Sequence, residues 1–392
     1  MERISGFAGF PRARAVFAEG LRDGVFPGGV AGVWSRRDPD RFHFGWGGER
    51  RLRMKGLSAL PMERDTVFDL ASVTKVFATA ALAMTLIERR WIRWDTPVRA
   101  ILPDFRHDGI TLRELAAHTS GLPAWVPFFA QMREAFGTDE LERIAVEERQ
   151  GFMRELVTDV DLERAPRTKA VYSDVGFLLL GFALEEVTGM PLDRAVERLV
   201  WRPMGLYEGA DDRVRGPFYV RTVEPAFRGR DESVAATEDC PWRRAILQGQ
   251  VHDDNCWAMG GYGGHAGAFA DARTLLRFGR ALLGSGRASR EGYFSREVMR
   301  EAWTRVSAPA NCERTPGWDT PSGASPALGK IFSANSVGHN GFTGTTFWID
   351  PENEVVVTLL TNRVHPTREN PRMQPFRGRF NEALARDLFG IP

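Results

Sequence analysis

Lysine is scarce in this chain of 392 residues. Only four of the 52 basic residues are lysine, at positions Lys55, Lys75, Lys169 and Lys330, and the rest are arginine. Arginine keeps its proton at any working pH, whereas a desolvated lysine can release one. A lysine that stands beside a possible nucleophile in such a chain therefore invites a chemical interpretation.

The chain also lacks an excess of one charge and a set of paired cysteines. Its 52 basic and 51 acidic residues leave a formal net charge of +1, which gives no electrostatic reason to expect nucleic acid as a partner. The chain has an odd number of cysteines, Cys240, Cys256 and Cys312, and none of them has C-x-x-C spacing. Neither a disulfide framework nor a structural zinc site is predicted.

Long apolar runs are missing as well. Residues 1–19 lack the apolar stretch of about 7 to 15 residues that a signal peptide contains, and no segment approaches the roughly 20 apolar residues of a membrane span. We therefore expect a cytoplasmic protein with no membrane partner. Hydrophobic residues at 43% and charged residues at 26% are ordinary for a soluble globular protein.

What the chain does contain is a serine three residues before a lysine, in the segment 68–75, F-D-L-A-S-V-T-K. Residues three apart on a helix are neighbours, so a helix beginning near Ser72 brings the amine of Lys75 over the serine hydroxyl. The apolar residues that follow recur at helical spacing and predict a buried helix. Burial disfavours the charged amine, which would make Lys75 a base for Ser72 as nucleophile. Alone, S-x-x-K is a weak motif.

The order of the remaining patterns predicts an α+β fold. Strand patterns lie near both chain ends (30–34, 41–46, 329–337, 343–349 and 354–360), with helices at about 12–22 and 374–388, whereas helical patterns dominate from Ser72 to about residue 224. We predict an antiparallel sheet domain, residues 1–71 and 262–392, built from both ends and flanked by helices, with an inserted, mainly helical domain, residues 72–261. Two proline- and arginine-rich stretches, 207–240 and 306–327, predict long surface loops.

Two further clusters suit a serine nucleophile of this kind. Tyr172, Ser173 and Asp174 open a predicted helix, and the segment 339–344, H-N-G-F-T-G, lies between two terminal strands. Such a serine needs a proton carrier for the leaving group and a polar wall opposite, and these clusters could supply both. By itself, Tyr172 is better interpreted as a half-buried core tyrosine, and only the order of the motifs reverses that interpretation.

With these motifs in this order, the chain resembles the serine β-lactamase and penicillin-binding-protein superfamily, in the branch of class C β-lactamases, D-alanyl-D-alanine carboxypeptidases and family VIII esterases. The resemblance covers roughly residues 27–388. It includes four further segments: 95–97 (D-T-P), 115–123 (L-A-A-H-T-S-G-L-P), 263–267 (G-G-H-A-G) and 361–366 (T-N-R-V-H-P). Several motifs in order are far more specific than one.

The resemblance implies roles for individual residues. Ser72 matches the acylated serine, Lys75 its proton partner, and Tyr172 the tyrosine that assists proton transfer. The backbone N–H groups of Ser72 and Phe342 would form the oxyanion hole, with Phe342 expected on an edge strand facing the serine. The substrate-binding wall would comprise Asp174, His339, Asn340, Gly341 and Phe342.

Two of these positions depart from the family pattern. Asp174 replaces an asparagine that donates a hydrogen bond to the substrate, and an ionised aspartate near Lys75 would favour the charged amine. His339 stands where many members have the lysine of Lys-Thr-Gly and some peptidases have histidine, and it weakens the fixed positive charge at neutral pH. Both changes argue against efficient β-lactam turnover.

Three other histidines are open to more than one interpretation. His118 and His265 lie in glycine- or serine-containing loop motifs and are interpreted as hydrogen-bonded scaffold residues rather than catalysts. His252, in the run 251–255 (V-H-D-D-N), could be combined with His265 into a metal site, but the spacing fits no standard zinc or calcium pattern. No metal or organic cofactor is expected.

The predicted function is that of an active-site-serine hydrolase that works through an acyl-enzyme on a small-molecule ester, amide or β-lactam. The family offers three chemistries, esterase, D-amino-acid peptidase and β-lactamase, and the residues do not separate them cleanly. A hypothesis of another class is a non-catalytic binding module that retains the pocket. The intact set of Ser72, Lys75 and Tyr172 argues against that hypothesis. The sequence does not predict the oligomeric state.

Overall fold

The computed structural model describes residues 4–207, 216–222, 231–284, 293–310, 312–322 and 327–392. The α-helices in these ranges are α1 (Pro11–Arg22), α2 (Ala81–Glu88), α3 (Val98–Ile101), α4 (Leu112–Ala116), α5 (Phe128–Phe136), α6 (Val146–Thr158), α7 (Asp174–Thr188), α8 (Leu192–Val196), α9 (Asp254–Ala258), α10 (Ala272–Gly284), α11 (Arg296–Trp303) and α12 (Met373–Phe389). The strands are β1 (Ser5–Gly6), β2 (Gly28–Ser35), β3 (His43–Arg51), β4 (Leu60–Pro61), β5 (Phe68–Asp69), β6 (Phe218–Tyr219), β7 (Asp239–Cys240), β8 (Ala245–Ile246), β9 (Ala268–Ala270), β10 (Arg314–Thr315), β11 (Trp318–Asp319), β12 (Val337–Asn340), β13 (Thr346–Asp350) and β14 (Val355–Thr361).

The main sheet is built from both chain ends. Its strand order is β1-β3-β2-β14-β13-β12-β11-β10, with β4 paired to β3. The amino-terminal strand β2 and the carboxy-terminal strand β14 form its antiparallel centre, from the pair Gly29 and Thr361 to the pair Ser35 and Val355. The predicted α+β fold class is confirmed. The predicted strand at 329–337 is wrong, because turns occupy 327–336 and the strand begins at Val337.

Strand β2 is buried on both faces because helices cover each side of the sheet. Its sequence G-G-V-A-G-V-W-S is correspondingly apolar throughout. Ala31 and Val33 belong to the core formed with α1 and α12. Val30 and Trp34, on the alternate face, belong to the larger core that includes residues of α10.

The helix that carries the serine-lysine motif is irregular at its start. A 3₁₀ turn, Ala71–Val73, is followed by π-helical turns at Lys75–Ala80 and then by α2. The whole segment Ala71–Glu88 is long and apolar enough to cross a membrane, contrary to the sequence-based expectation, but 89% of it is buried inside the fold, as is typical of a core helix. This helix therefore fixes the motif at the centre of the protein.

A small three-stranded sheet, in the order β5-β9-β6, leads into this helix. It joins residues 68–69 to 268–270, so the chain reaches the serine directly from a hydrogen-bonded strand. The domain boundaries at 71/72 and 261/262 stay a prediction. The two predicted loops lie partly outside the described residues, and their described parts include the short strands β6, β7, β10 and β11. All three cysteines are buried and free.

Candidate active site

The turn before Ser72 is locked by a buried carboxylate. Asp69 accepts hydrogen bonds from the backbone N–H of Ala71 at 2.9 Å and of His252 at 2.6 Å. Ala71 has a φ of +46°, a left-handed conformation that costs a non-glycine residue on the order of 1 to 3 kcal/mol. The surrounding contacts hold this strained turn, which presents Ser72 at the amino end of its helix.

The amine of Lys75 is completely buried and fully hydrogen-bonded. Its Nζ donates to Oγ of Ser72 at 3.1 Å, to Oδ1 of Asp174 at 2.7 Å and to the backbone carbonyl of His265 at 3.0 Å. An ammonium group has three protons to donate, and all three are used. The side chain of Lys75 is 0% exposed and that of Asp174 is 18% exposed.

The protonation of Lys75 differs from the prediction. Burial alone lowers the pKa of Lys75, but the Asp174 carboxylate and the Tyr172 phenol act against burial, and the net pKa lies above the ordinary lysine value. The expectation that a dry environment makes Lys75 a ready base is therefore wrong for the resting site. The neighbouring Asp174 keeps the amine charged.

Tyr172 contacts the serine from the other side. Its hydroxyl donates a hydrogen bond to Oγ of Ser72 at 2.7 Å, and its ring centre lies 4.9 Å from Nζ of Lys75. Burial raises the pKa of Tyr172 to about 12, so the phenol is neutral at pH 7. Oγ of Ser72 thus accepts from two donors and keeps its own proton.

The segment 341–345 is bonded directly to the residues before Ser72. The hydroxyl of Thr343 donates to the carbonyl of Asp69 at 2.8 Å, and that of Thr345 donates to the carbonyl of Leu70 at 2.9 Å. A Cβ at Gly341 would lie only 2.5 Å from the same Leu70 carbonyl, so this close approach requires glycine. These contacts hold Phe342 beside the serine turn.

Two backbone N–H groups at this junction are available to an oxyanion. Within the described part of the chain, the N–H groups of Ser72 and Phe342 donate no hydrogen bond. The predicted setting of Phe342 is wrong in one respect. It lies in the turn after β12, which ends at Asn340, and β12 is not an edge strand because Gly338 pairs with Asp319 of β11.

His339 is buried and neutral. Burial lowers the pKa of His339 to about 4, and the positive charges of Lys75 and Arg314 act in the same direction. Its Nδ1 lies 2.8 Å from the carbonyl of Asn340, which can only accept, so Nδ1 carries the proton and Nε2 is a bare acceptor. Among the described residues, Nε2 has no hydrogen-bond partner.

The three histidines that the sequence left open, His118, His252 and His265, contact residues that hold the site. Nδ1 of His118 accepts from the backbone N–H of Ser173 at 3.0 Å, and its ring packs 4.7 Å from that of Tyr172. The ring of His265 is 2.9 Å from Asp253, and that of His252 stacks on Phe342 at 5.7 Å. In the described ranges, no group of three or more His, Cys, Asp or Glu side chains could hold a metal ion.

Sequence reasoning missed three contributors to this arrangement. The Asp69 carboxylate locks the turn before Ser72, and the His265 carbonyl accepts a hydrogen bond from Lys75. The Arg314 guanidinium lies 5.5 Å from the Tyr172 ring centre. The motif around residue 69 offered a signal for the first. A backbone carbonyl and an arginine far along the chain offered none.

A comparison with known families decides where this arrangement belongs. The model of the Beta-lactamase family matches residues 13–380. The chain belongs to this family. The predicted superfamily, that of serine β-lactamases and penicillin-binding proteins, is confirmed for this β-lactamase-family protein.

Its similarity to individual proteins is more distant. A putative D-alanyl-D-alanine carboxypeptidase of Salmonella agona (strain SL483) is 29% identical over 347 residues, which cover 84% of this chain and 77% of the relative. The solved structure of simvastatin synthase (LovD) from Aspergillus terreus has a TM-score of 0.68 at 17% identity and covers 97% of this chain and 98% of that one. EstCE1, a hydrolase with promiscuous acyltransferase activity, has a TM-score of 0.65 at 21% identity, with 95% and 98% covered. At these identities, the two structures establish a shared fold alone.

All eight predicted site residues of the β-lactamase-family protein lie around one junction between the helix of Ser72, the start of α7 and the end of β12. Their catalytic and binding roles stay a prediction. Oδ1 of Asp174 contacts the amine of Lys75 at 2.7 Å, in agreement with the expectation that an aspartate here favours the charged amine.

Proposed function

We propose that this protein is an active-site-serine hydrolase that forms an acyl-enzyme on Ser72 with a carboxylic ester or a small amide. One observation carries the proposal: Oγ of Ser72 lies within hydrogen-bond distance of both Lys75 and Tyr172. A serine held between two proton carriers is the arrangement that nucleophilic catalysis requires. A non-catalytic binding module would not require a serine in contact with two proton carriers, so the arrangement favours an enzyme.

The residues suggest an order of events. Ser72 attacks the substrate carbonyl while its proton enters the network of Lys75 and Tyr172. The negative charge that develops on the carbonyl oxygen is stabilised by the free N–H groups of Ser72 and Phe342. Tyr172 gives a proton to the leaving group as the tetrahedral intermediate collapses, and a water molecule then releases the acyl group by the same route.

The substrate wall supports an ester preference. An ionised Asp174 has no proton to donate to a substrate amide, and its Oδ1 already accepts from Lys75. The bare Nε2 of neutral His339 repels a carboxylate instead of attracting it. We therefore expect short-chain activated esters to be turned over faster than penicillins or cephalosporins, whose carboxylates need a positive partner.

A second candidate is a peptidase for D-alanyl-D-alanine ends or a β-lactamase. The curated relatives named D-alanyl-D-alanine carboxypeptidase favour the peptidase. The protonation state of His339 distinguishes the candidates. Peptidase and β-lactamase substrates both carry a carboxylate near the scissile bond, and a neutral His339 gives that carboxylate no positive partner.

A covalent-adduct measurement tests the proposal. The protein is incubated separately with a serine-directed phosphonate, with esters, with penicillins and with D-alanyl-D-alanine peptides. Covalent adducts are then located by peptide mass. We expect the phosphonate on Ser72 and ester turnover that Ser72→Ala lowers by at least ~10³-fold. Lys75→Arg should be nearly as damaging, because arginine cannot take up a proton.

Lys330→Arg, at an exposed position, is the matched control and should keep full activity. Labelling of another residue, with turnover retained in Ser72→Ala, would overturn the mechanism. A β-lactam turned over faster than any ester would instead favour the second candidate.

A further inference from the structure

The carboxylate of Asp174 is the direct counter-ion of the catalytic amine. Asp174 is the first residue of α7, its backbone N–H donates to the carbonyl of Ala124 at 2.8 Å, and Ser173 caps the helix through its hydroxyl. These bonds fix the carboxylate 2.7 Å from Nζ of Lys75. Among the contacts of Lys75 in the described ranges, Asp174 is the single anionic side chain.

The resting hydrogen bonds leave no vacant base next to the nucleophile. Lys75 uses all three of its ammonium protons in hydrogen bonds, and Tyr172 donates its own proton to Ser72. The serine proton can therefore enter this network only if another proton moves on at the same time. Oδ1 of Asp174 is an acceptor in direct contact with the network and is placed to receive it.

On the basis of the proposed hydrolase function, we propose that Asp174 is the terminal proton acceptor behind Lys75, so that the proton of Ser72 passes through Lys75 to the Asp174 carboxylate. We call the series Ser72, Lys75 and Asp174 the proton relay. In this relay Asp174 acts through Lys75 and not on the reacting atoms, so its part in the relay is that of a positioning residue.

The relay balances in both half-reactions. In acylation, Oγ of Ser72 bonds to the carbonyl carbon and gives its proton to Lys75, which passes one to Asp174. When the bond to the leaving alkoxide breaks, the alkoxide takes a proton from Tyr172, Tyr172 recovers one from Lys75, and Lys75 recovers one from Asp174. In deacylation, the oxygen of water bonds to the acyl carbon, Tyr172 takes the proton of water and gives its own to Lys75, and Lys75 passes one to Asp174. When the bond to Oγ of Ser72 breaks, a proton returns from Asp174 through Lys75 to Oγ.

The other groups that face the relay do not offer an equivalent acceptor. Burial lowers the pKa values of His118 and His339, and each neutral ring keeps one acceptor nitrogen. That nitrogen accepts from the Ser173 N–H in His118 and has no hydrogen-bond partner among the described residues in His339, so neither ring bonds the amine of Lys75. Asp253 is bound to the ring of His265, and Arg314 of β10 forms an ion pair with Asp319. Cys256 of α9 stays a thiol, because burial raises its pKa well above the usual value. Asp174 thus remains the one carboxylate in contact with Lys75 in the part of the chain described.

Asp174→Asn tests the relay through the pH profile of kcat/KM on an activated ester. Without the Asp174 carboxylate, burial lowers the pKa of Lys75 and no anion opposes that effect. The variant also has no acceptor behind Lys75, so Lys75 must itself be deprotonated to act as the base. We expect the acidic limb of the profile to move to higher pH by about one unit or more, with activity recovering on the alkaline side. Asp174→Glu should return the limb toward its parent position.

Asp253→Asn is the matched control, because it removes a nearby half-buried carboxylate that touches His265 and not Lys75. Its acidic limb should stay where the parent has it. A drop in kcat/KM by the same factor at every pH in Asp174→Asn, or a change in KM alone, would mean that Asp174 serves only the structure or substrate binding, and would overturn the relay.

Direct titration of Lys75 separates this inference from the proposed function. Because the chain has only four lysines, ¹³C-labelled lysine gives few side-chain NMR signals, and Lys75→Arg assigns the one required. The Lys75 signal should titrate about one pH unit or more lower in Asp174→Asn than in the parent. An active parent whose Lys75 titration is unmoved by the change overturns the relay alone, whereas a parent that turns over no ester overturns the hydrolase proposal and the relay with it.

Discussion

The hydroxyl of Tyr172 donates a hydrogen bond to Oγ of Ser72 across 2.7 Å, although 100 residues separate the two in the chain. Tyr172 is held for this contact by the ring of His118 and by the capped start of α7. Because burial raises its pKa to about 12, the phenol keeps its proton until a stronger base, such as a leaving alkoxide, is present. Its expected task is therefore to protonate the leaving group.

Tyr172→Phe should damage amide hydrolysis more than the hydrolysis of activated esters. A nitrophenolate leaves without protonation, whereas an amine does not, and general acid catalysis typically contributes ~10²- to 10⁴-fold. We expect kcat/KM on an amide or alkyl ester to fall by an amount in that range, and kcat/KM on a nitrophenyl ester to fall by ~10-fold or less. Steady-state kinetics on the paired substrates provide the measurement.

Tyr293→Phe offers a control for the loss of a hydrogen-bonded, partly buried phenol. The hydroxyl of Tyr293 donates to the backbone carbonyl of Leu199 at 2.6 Å, away from the serine. This variant should lose about 1 kcal/mol of stability and leave the substrate ratio untouched. Equal losses on both substrates in Tyr172→Phe would contradict the assigned role.

The sheet was predictable because its signals are local. Alternating and continuous apolar runs, bounded by turns, predicted strands within a few residues of β2, β3, β13 and β14. The prediction for segment 329–337 was wrong because an apolar pattern does not distinguish a strand from a buried turn. Phe332 is buried in that segment, yet it belongs to no strand. Tertiary packing decides such cases.

The site was predictable in its membership but not in its electrostatics. Motif order identified Ser72, Lys75 and Tyr172, and the expectation that Asp174 would favour the charged amine agrees with their 2.7 Å contact. The sequence could not say whether burial or the counter-ion governs Lys75, since that balance depends on distances and solvent exposure. The position of Phe342 in a turn likewise depends on the bonds of Thr343 and Thr345 to residues 69 and 70.

His339 should make the protein less stable in acid. Its folded-state pKa of about 4 lies below the ordinary 6.5, so the unfolded chain takes up the proton first. The contribution of neutral His339 to the free energy of unfolding is therefore fully present above pH 6.5 and is lost as the pH falls toward 4. This difference in pKa between the folded and the unfolded chain corresponds to a full loss of ~3 kcal/mol.

His339→Gln isolates this contribution. The loss of stability between pH 7 and pH 4.5, followed by denaturant unfolding, should be smaller in the variant than in the parent. His118 titrates with the same sign in both proteins, so the difference between the two curves reports His339. Parallel curves over this range would show that the imidazole is not held neutral by the fold.

Gly341→Ala should displace the Phe342 N–H without changing any charged group. The new Cβ would lie 2.1 Å from Oγ1 of Thr345 and 2.5 Å from the Leu70 carbonyl, so the chain at 341–342 must move away from the serine turn. Loss of one oxyanion donor typically lowers kcat by ~10²- to 10³-fold. We expect kcat to fall by that order, with a smaller change in KM.

Gly151→Ala provides the matched comparison, because a Cβ there meets nothing within 4 Å and the residue lies inside helix α6. Alanine in a helix is favoured over glycine by about 1 kcal/mol, so this variant should be at least as stable as the parent and fully active. Phosphonate labelling distinguishes the causes in Gly341→Ala. Since attack by Ser72 on phosphorus also develops charge on an oxygen, labelling should slow together with ester turnover. If Gly341→Ala keeps the parent kcat, the Phe342 N–H does not serve the oxyanion, and the second donor must be sought elsewhere around Ser72.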